Sequence, residues 1–274
     1  MISPVIREPN ESVSLAEEAA SALQLVAHYD AMRVETYCDR ENLGDRARVA
    51  PIGSAVALRF DDVGYFNRVY CADHSFLGRL PEIEEFYRRG LFGCELVAPG
   101  SFTISRPGWA AANRYAWLCH PDCRLMATDR PTPFNIRPPR PSQQEQYLRA
   151  YLRAFEAQQD RIPGALRNMR HLFDRPELDF LMAWHGEMIA GIAMWMRCGD
   201  SALLCAGAAL PEFREMGCHV ALLAARIRRA SEAGCRQIYS WAGLGSQSQA
   251  NLQKAGLAIV GTTITWRYSP KDTL

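Results

Sequence analysis

The chain has 274 residues, 48% of them hydrophobic and 22% charged, with 31 basic against 30 acidic side chains for a net charge of +1. That is the composition of an ordinary globular protein able to bury one large core or two modest ones, and its balanced charge excludes nucleic acid or a membrane surface as the main expected partner. No run approaches the ~18 apolar residues of a membrane span, and Met1 to Ala20 carries Arg7, Glu8, Glu11, Glu17 and Glu18 around no apolar centre, so a cytoplasmic protein without a secretory leader is expected.

In chain order, the pattern predicts a helix over Leu15 to Arg33 and then a polar connector. Short strands follow at Ser54 to Phe60 and Tyr65 to Cys71. Pro81 opens a helix, Glu82 to Arg89, that Gly90 closes. A strand over Phe92 to Ala98 ends at Pro99-Gly100, a helix is expected over Gly108 to Leu118 and a strand over Arg124 to Thr128. Between them, Cys119-His120-Pro121-Asp122-Cys123 gathers metal-ligand types, but no second cluster completes a tetrahedral set. The segment reads as a turn, and no metal is expected. The nine cysteines, an odd number scattered along the chain, read as reduced thiols.

Arg130 to Pro141 holds five prolines in twelve residues and marks a domain boundary, giving domains 1–130 and 131–274. Beyond it the pattern predicts a strand at Phe134 to Arg137, helices at Ser142 to Gln158 and Gly164 to Phe173, and a hairpin of Leu178 to Trp184 with Met188 to Arg197. Strand Ser201 to Ala209, helix Cys218 to Ala233, strand Gln237 to Trp241, helix Gln249 to Ala255 and strand Ala258 to Arg267 complete the order. The first half echoes the end of this series more weakly.

The junction Ala208-Ala209-Leu210-Pro211-Glu212-Phe213-Arg214-Glu215-Met216-Gly217-Cys218-His219-Val220 is the most informative segment. A strand runs through a Pro-marked turn and a polar loop with one Gly into an Ala/Leu-rich helix. Such a junction aims backbone N–H groups and the positive end of a helix at one point, as a phosphate cradle requires. The loop lacks the Gly-x-Gly-x-x-Gly of dinucleotide folds.

With Arg214, Gly217 and His219 at the Arg/Gln-x-x-Gly-x-Gly/Ala positions, Ala209-Leu210-Pro211 before them and Asn251-Leu252-Gln253-Lys254-Ala255-Gly256-Leu257 as the closing helix, the chain resembles the GNAT superfamily of acyl-CoA N-acyltransferases. The resemblance covers residues 134 to 268. Asn67-Arg68-Val69-Tyr70, Glu84-Glu85-Phe86-Tyr87 and Val97-Ala98-Pro99-Gly100 suggest a degenerate first unit of a tandem arrangement, without a cradle of its own. The expected fold is therefore α/β (α+β), with a GNAT-like mixed, splayed central sheet flanked by helices, in two tandem units.

The resemblance implies acetyl-CoA as acyl donor and a small-molecule amine, amino-acid-like, as acceptor, in a monomer or homodimer. The backbone of Arg214, Glu215, Met216, Gly217, Cys218, His219 and Val220 would hold the pyrophosphate. Ala208, Ala209 and Leu210 would meet the pantetheine arm as an added strand does, and Asn251 on the closing helix would also bind the cofactor. His219 departs from the small residue of the pattern. Leu252 stands where many relatives place a Tyr acid, and Ser248, one turn earlier on the same face, is the substitute acid. Tyr239, His185, Asp179 and Glu177 are candidate bases. Arg226, Arg228 and Arg229 read as a solvated helix face, one of them within reach of the CoA 3′-phosphate. A longer acyl-CoA or acyl-carrier-protein donor, or a CoA-binding regulatory protein without turnover, are the alternatives.

Overall fold

Helix α1 (Leu15–Glu41) begins on a capping box: the Ser14 hydroxyl accepts from the Glu17 N–H at 3.3 Å while the Glu17 carboxylate accepts from the Ser14 N–H at 2.9 Å. It runs past the expected end at Arg33 to a left-handed Asn42, burying Val34 and Tyr37 as it goes. Packing of that face outweighs the weak helix propensity of the β-branched and aromatic residues there. The computed structural model describes residues 14–100, 102–126, 131–157, 159 and 162–270, which fall into two compact units. The first is built from residues up to Leu118 with Trp241–Gln249 and the residues from Ile259 onward; the second from Cys119–Ser240 and Ala250–Ala258. The chain thus passes between units more than once, and not only at the proline-rich segment.

In the first unit, strands β1 (Ala47–Ile52), β2 (Ala55–Phe60), β3 (Arg68–Cys71), β4 (Cys94–Val97) and β5 (Trp109–His120) are joined by β11 (Ala258–Tyr268) in the order β1-β2-β3-β4-β11-β5. β1 replaces part of the expected connector. Its Pro51 is tolerated because the strand is an edge, paired only with β2. Helix α2 (Leu80–Arg88) links β3 to β4, which pair in parallel with Val69 opposite Leu96.

The C-terminal strand was expected to close the second half. Instead β11 lies antiparallel to β4, Trp266 opposite Leu96. Gly93 permits the approach, since a Cβ there would stand 1.7 Å from the Tyr268 carbonyl oxygen.

Two expectations between Gly108 and Thr128 are corrected. Gly108 to Leu118 is not a helix: its four alanines favour one, but Trp109, Tyr115 and Trp117 favour a pleated surface, and Asn113 N–H donates to Thr265 Oγ1 of β11 at 3.0 Å. Arg124 to Thr128 is not a described strand either. Cys123–Leu125 forms a 3-10 turn held by Asp122, whose carboxylate takes the Arg124 N–H, while Ala127 and Thr128 lie outside the described residues.

In the second unit, β6 (Asn135–Arg137), β7 (Leu178–His185), β8 (Met188–Cys198), β9 (Ser201–Ala209) and β10 (Gln237–Gly243) follow the order β10-β9-β8-β7-β6. Helices α3 (Gln144–Ala154), α4 (Ile162–Met169), α5 (Cys218–Glu232) and the part of α6 (Gln247–Lys254) from Ala250 on accompany them, β10 belonging here up to Ser240, and the hairpin turns at Gly186 as expected. β8 and β9 are antiparallel, β9 and β10 parallel across α5. The first unit repeats this scheme, with β2 and β3 antiparallel and β3 and β4 parallel across α2. None of the nine cysteines is in a disulfide.

Candidate functional site

β9 keeps β8 along its length, with Cys198 opposite Ser201 at one end and Gly191 opposite Ala209 at the other. On its other edge the parallel pairing with β10 covers only Ser201, Ala202 and Leu203, opposite Gln237, Ile238 and Tyr239. Beyond that, Ser240 Oγ donates to the Leu204 carbonyl at 3.3 Å, and among the described residues no strand pairs with Cys205 to Ala209 on that side. The sheet of the second unit therefore opens along the strand that leads to the loop. An open edge of peptide groups is a template for an extended amide-bearing chain.

The loop is a tight left-handed turn. Pro211–Phe213 forms a 3-10 turn closed by Phe213 N–H to the Leu210 carbonyl at 2.9 Å. Glu215 at φ 64° and Gly217 at φ 82° then reverse the backbone into α5, for which Gly217 is the N-cap. Ala221 N–H bonds to the Gly217 carbonyl at 3.0 Å. The N–H groups of Glu215 to Val220 meet no protein acceptor among the described residues. Alternating left-handed residues with successive free N–H groups, at the positive end of a four-turn helix, form an anion nest.

Side chains of the loop turn elsewhere. Arg214 Nη2 donates to Glu156 Oε1 at 2.8 Å, and Arg153 pairs with Glu212 at 2.9 Å, so the loop is tied to the end of α3 from both sides. Cys218 is buried, and burial pushes its thiol up to about 12, far from a reactive thiolate. Met216 is exposed. Gly191 lets the helix sit close: a Cβ on it would stand 2.7 Å from the Ala208 carbonyl and 2.8 Å from Cys218 Sγ.

His219 and Asn251 are brought together, the Asn251 amide nitrogen 3.2 Å from His219 Nδ1. Burial, with the Arg226 cation as a lesser cause, holds the imidazole down at about 4. At neutral pH the ring is uncharged, Nδ1 accepts from the amide and the ring proton sits on Nε2. A narrow cleft of about 40 Å³ runs beside this contact between α5 and α6, lined by Val220, Ala224, Asn251 and Lys254. On α6, Leu252 is buried at 2% exposure, while Ser248, one turn earlier, is half-buried and its hydroxyl makes no hydrogen bond to the described protein.

The candidate bases are largely committed. Asp179 accepts from Trp195 Nε1 at 2.8 Å and pairs with Arg229; Tyr239 is buried with its hydroxyl 3.3 Å from Gln237 Oε1. His185, at the hairpin turn, packs between Phe134 and Phe213. Glu177 pairs with Arg175 at 3.0 Å.

Arg226 corrects the expectation of a solvated face. It is 3% exposed, and its Nη1 donates to the Ala206 carbonyl at 2.9 Å. Its spacing from Leu222 and Ala230, one turn to either side, is the signal that places it on the buried stripe. Among the described residues no group of three His, Cys, Asp or Glu side chains is disposed to hold a metal, and no helix is long and apolar enough to cross a membrane.

Residues 131–245 match the family model of the acetyltransferase (GNAT) domain. No curated protein matches the chain. Among solved structures it is similar to a GCN5-related N-acetyltransferase from Sphaerobacter thermophilus, with 18% identity, coverage of 95% of both chains and a TM-score of 0.61. A GCN5-related N-acetyltransferase from Kribbella flavida gives 15% identity, coverage of 94% of this chain and 96% of that one, and a TM-score of 0.61. A tandem GNAT protein from the clavulanic acid biosynthesis pathway gives 11% identity, coverage of 80% and 79%, and a TM-score of 0.56. These likenesses carry the mixed α/β fold over nearly the whole chain, and the domain match falls on the half that holds the nest. Residues 131–245 thus match an acetyltransferase (GNAT) domain, and the chain carries the mixed α/β fold of GNAT structures, a tandem GNAT protein among them.

Proposed function

We propose that the protein is an N-acetyltransferase that moves an acetyl group from acetyl-CoA to the amine of a small or amino-acid-like molecule in the cytoplasm. The observation that carries this reading is the row of unpaired N–H groups from Glu215 to Val220 at the end of an open β9 edge. A pyrophosphate fits that nest without a charged side chain, because backbone dipoles and the helix end supply the positive potential. The peptide groups of Ala208, Ala209 and Leu210 are the natural partners of the pantetheine amides.

When bound, acetyl-CoA supplies the activated acyl group as a thioester. This chain then has to hold the donor, exclude water and return a proton to the departing sulfur. Leu252 carries no hydroxyl, and Ser248 is the group on the same helix face that can give that proton. The neutral His219, oriented by Asn251, keeps an Nε2–H as a further donor near the nest.

Among the described residues the first unit shows no equivalent nest. At the matching strand-to-helix turn, the Asp73 carboxylate accepts the Ser75 N–H at 2.8 Å, and the Ser75 hydroxyl, with that N–H, holds the carboxyl below its ordinary range. An anion of the chain's own caps that turn, which supports a single donor site.

Calorimetric titration with acetyl-CoA, followed by thiol release over a panel of amines, tests the proposal. Gly217→Trp should abolish acetyl-CoA binding in a protein that still folds: the side chain covers the nest and meets no neighbour, and the strain of a non-glycine residue at φ 82° costs about 1–2 kcal/mol at one exposed loop position. No binding by the parent protein overturns the proposal. Leu252 favours a second reading, a CoA-binding protein without turnover, which binding without thiol release for any amine supports. Tighter binding and faster release with longer acyl-CoA donors, or with an acylated carrier protein, point to those donors instead.

A further inference from the structure

Arg48 of β1 and Arg59 of β2 stand directly opposite each other in the antiparallel pair of the first unit. Like charges in that relationship repel, and a sheet normally avoids them or places a carboxylate between them. Here neither arginine pairs with a carboxylate among the described residues. The acids nearby are already engaged: Glu82 with Arg79 at 2.6 Å, Glu85 with Arg88 at 2.7 Å, and Asp62 with Arg46.

Arg59 is 8% exposed. Its guanidinium donates to the carbonyls of Phe86, at 3.1 Å, and Asp45, and its Nε is buried without an acceptor. Both guanidinium groups lie over the Phe86 ring, with centroid distances of 5.9 Å for Arg48 and 5.5 Å for Arg59. A groove of about 500 Å³ opens over them, lined by Ala50, Ile52 and Pro81 and also by Glu82 and Glu85, the two carboxylates already paired with Arg79 and Arg88.

We propose that this groove binds a small molecule bearing a phosphate or carboxylate, its oxyanion held by Arg48 and Arg59 and its body against the apolar part of the lining. The ring and the two carbonyls hold one guanidinium in place before any ligand arrives, so little ordering remains to be paid on binding. The bound oxyanion neutralises a charge pair that the folded chain otherwise leaves in conflict, and its charge-assisted bonds are the strong kind. The site lies wholly on the first unit and is independent of the acyl-donor nest.

The test uses the full chain carrying Gly217→Trp, which keeps anions from the nest. Inorganic phosphate and benzoate are titrated separately by calorimetry and in thermal melts, to tell a phosphate site from a carboxylate site. The expected result is saturable binding of at least one probe, weakened about tenfold or more by the exposed Arg48→Gln. In anion-free buffer Arg48→Gln should melt no lower than its parent, because it removes repulsion; with the probe present, the parent alone should gain melting temperature. Arg59→Lys, which keeps the charge but loses the fork, should also weaken binding. Absence of saturable binding for both probes, binding indifferent to Arg48→Gln, or a loss of stability on Arg48→Gln in anion-free buffer would each overturn the proposal.

Discussion

Arg226 and Gly207 contend for one space: the guanidinium Nη2 lies 2.6 Å from where a Cβ on Gly207 would stand. The arginine bonds to the Ala206 carbonyl, and burial lowers it to about 10, so it is still charged at neutral pH. Gly207→Ala therefore has to displace a buried cation, not a solvated one. The expected destabilisation is about 1–3 kcal/mol by urea unfolding. In an Arg226→Met background the alanine should cost clearly less, since the thioether stem can bend away. An equal cost in both backgrounds would show that the two positions are not coupled.

Gly191→Ala reaches the nest by another route. Its Cβ would meet the Ala208 carbonyl at 2.7 Å and Cys218 Sγ at 2.8 Å, at the first turn of α5. Backbone cannot swing aside as a side chain can, so the start of the helix must shift relative to β9. A loss of about tenfold or more in acetyl-CoA affinity is expected in a protein that remains folded at low temperature. Unchanged affinity in the folded variant would mean that the helix start absorbs the methyl without moving its N–H groups.

These two glycines show where sequence reasoning stops. Strand β9 and the strand-loop-helix turn were legible, because alternation, Pro211 and Gly217 are local signals, and β9 has the bounds expected. The Gly191 and Gly207 contacts are between elements, and no local pattern announces them. The same holds for β5, where Ala110 to Ala112 speak for a helix while the partner strand that decides the matter, β11, lies about 150 residues downstream. At the site, the nest positions follow from the loop, but the burial of Arg226 and the engagement of Asp179 by Trp195 and Arg229 depend on how α5 meets the sheet.

The His219–Asn251 contact predicts a pH dependence of stability. The imidazole is held at about 4 against its ordinary 6.5, so the unfolded chain takes the proton first as pH falls. Stability from this group is complete above pH 6.5 and declines as pH drops toward 4, by at most about 3 kcal/mol. Urea midpoints between pH 7 and pH 4.5 should fall less steeply for His219→Gln than for the parent, because glutamine keeps a polar partner for Asn251 and has no proton to take up. Parallel slopes would contradict a neutral buried imidazole. A direct proton titration of the ring by NMR reads the same quantity.

Arg214 occupies the family's loop position, yet its guanidinium is paired with Glu156 and not aimed along the free N–H groups. Both members of that pair are exposed, so the pair contributes about 1 kcal/mol at most to stability. If backbone donors hold the pyrophosphate, Arg214→Ala should weaken acetyl-CoA binding by less than about tenfold and leave the fold intact, because it removes only a tether of the loop. Double substitution with Glu156→Ala should add little, since the second change removes a partner already lost. The measurement is affinity by calorimetry at two salt concentrations. A loss of about a hundredfold for Arg214→Ala, with a flattened salt dependence, would instead mean that the side chain leaves Glu156 and binds the phosphate itself.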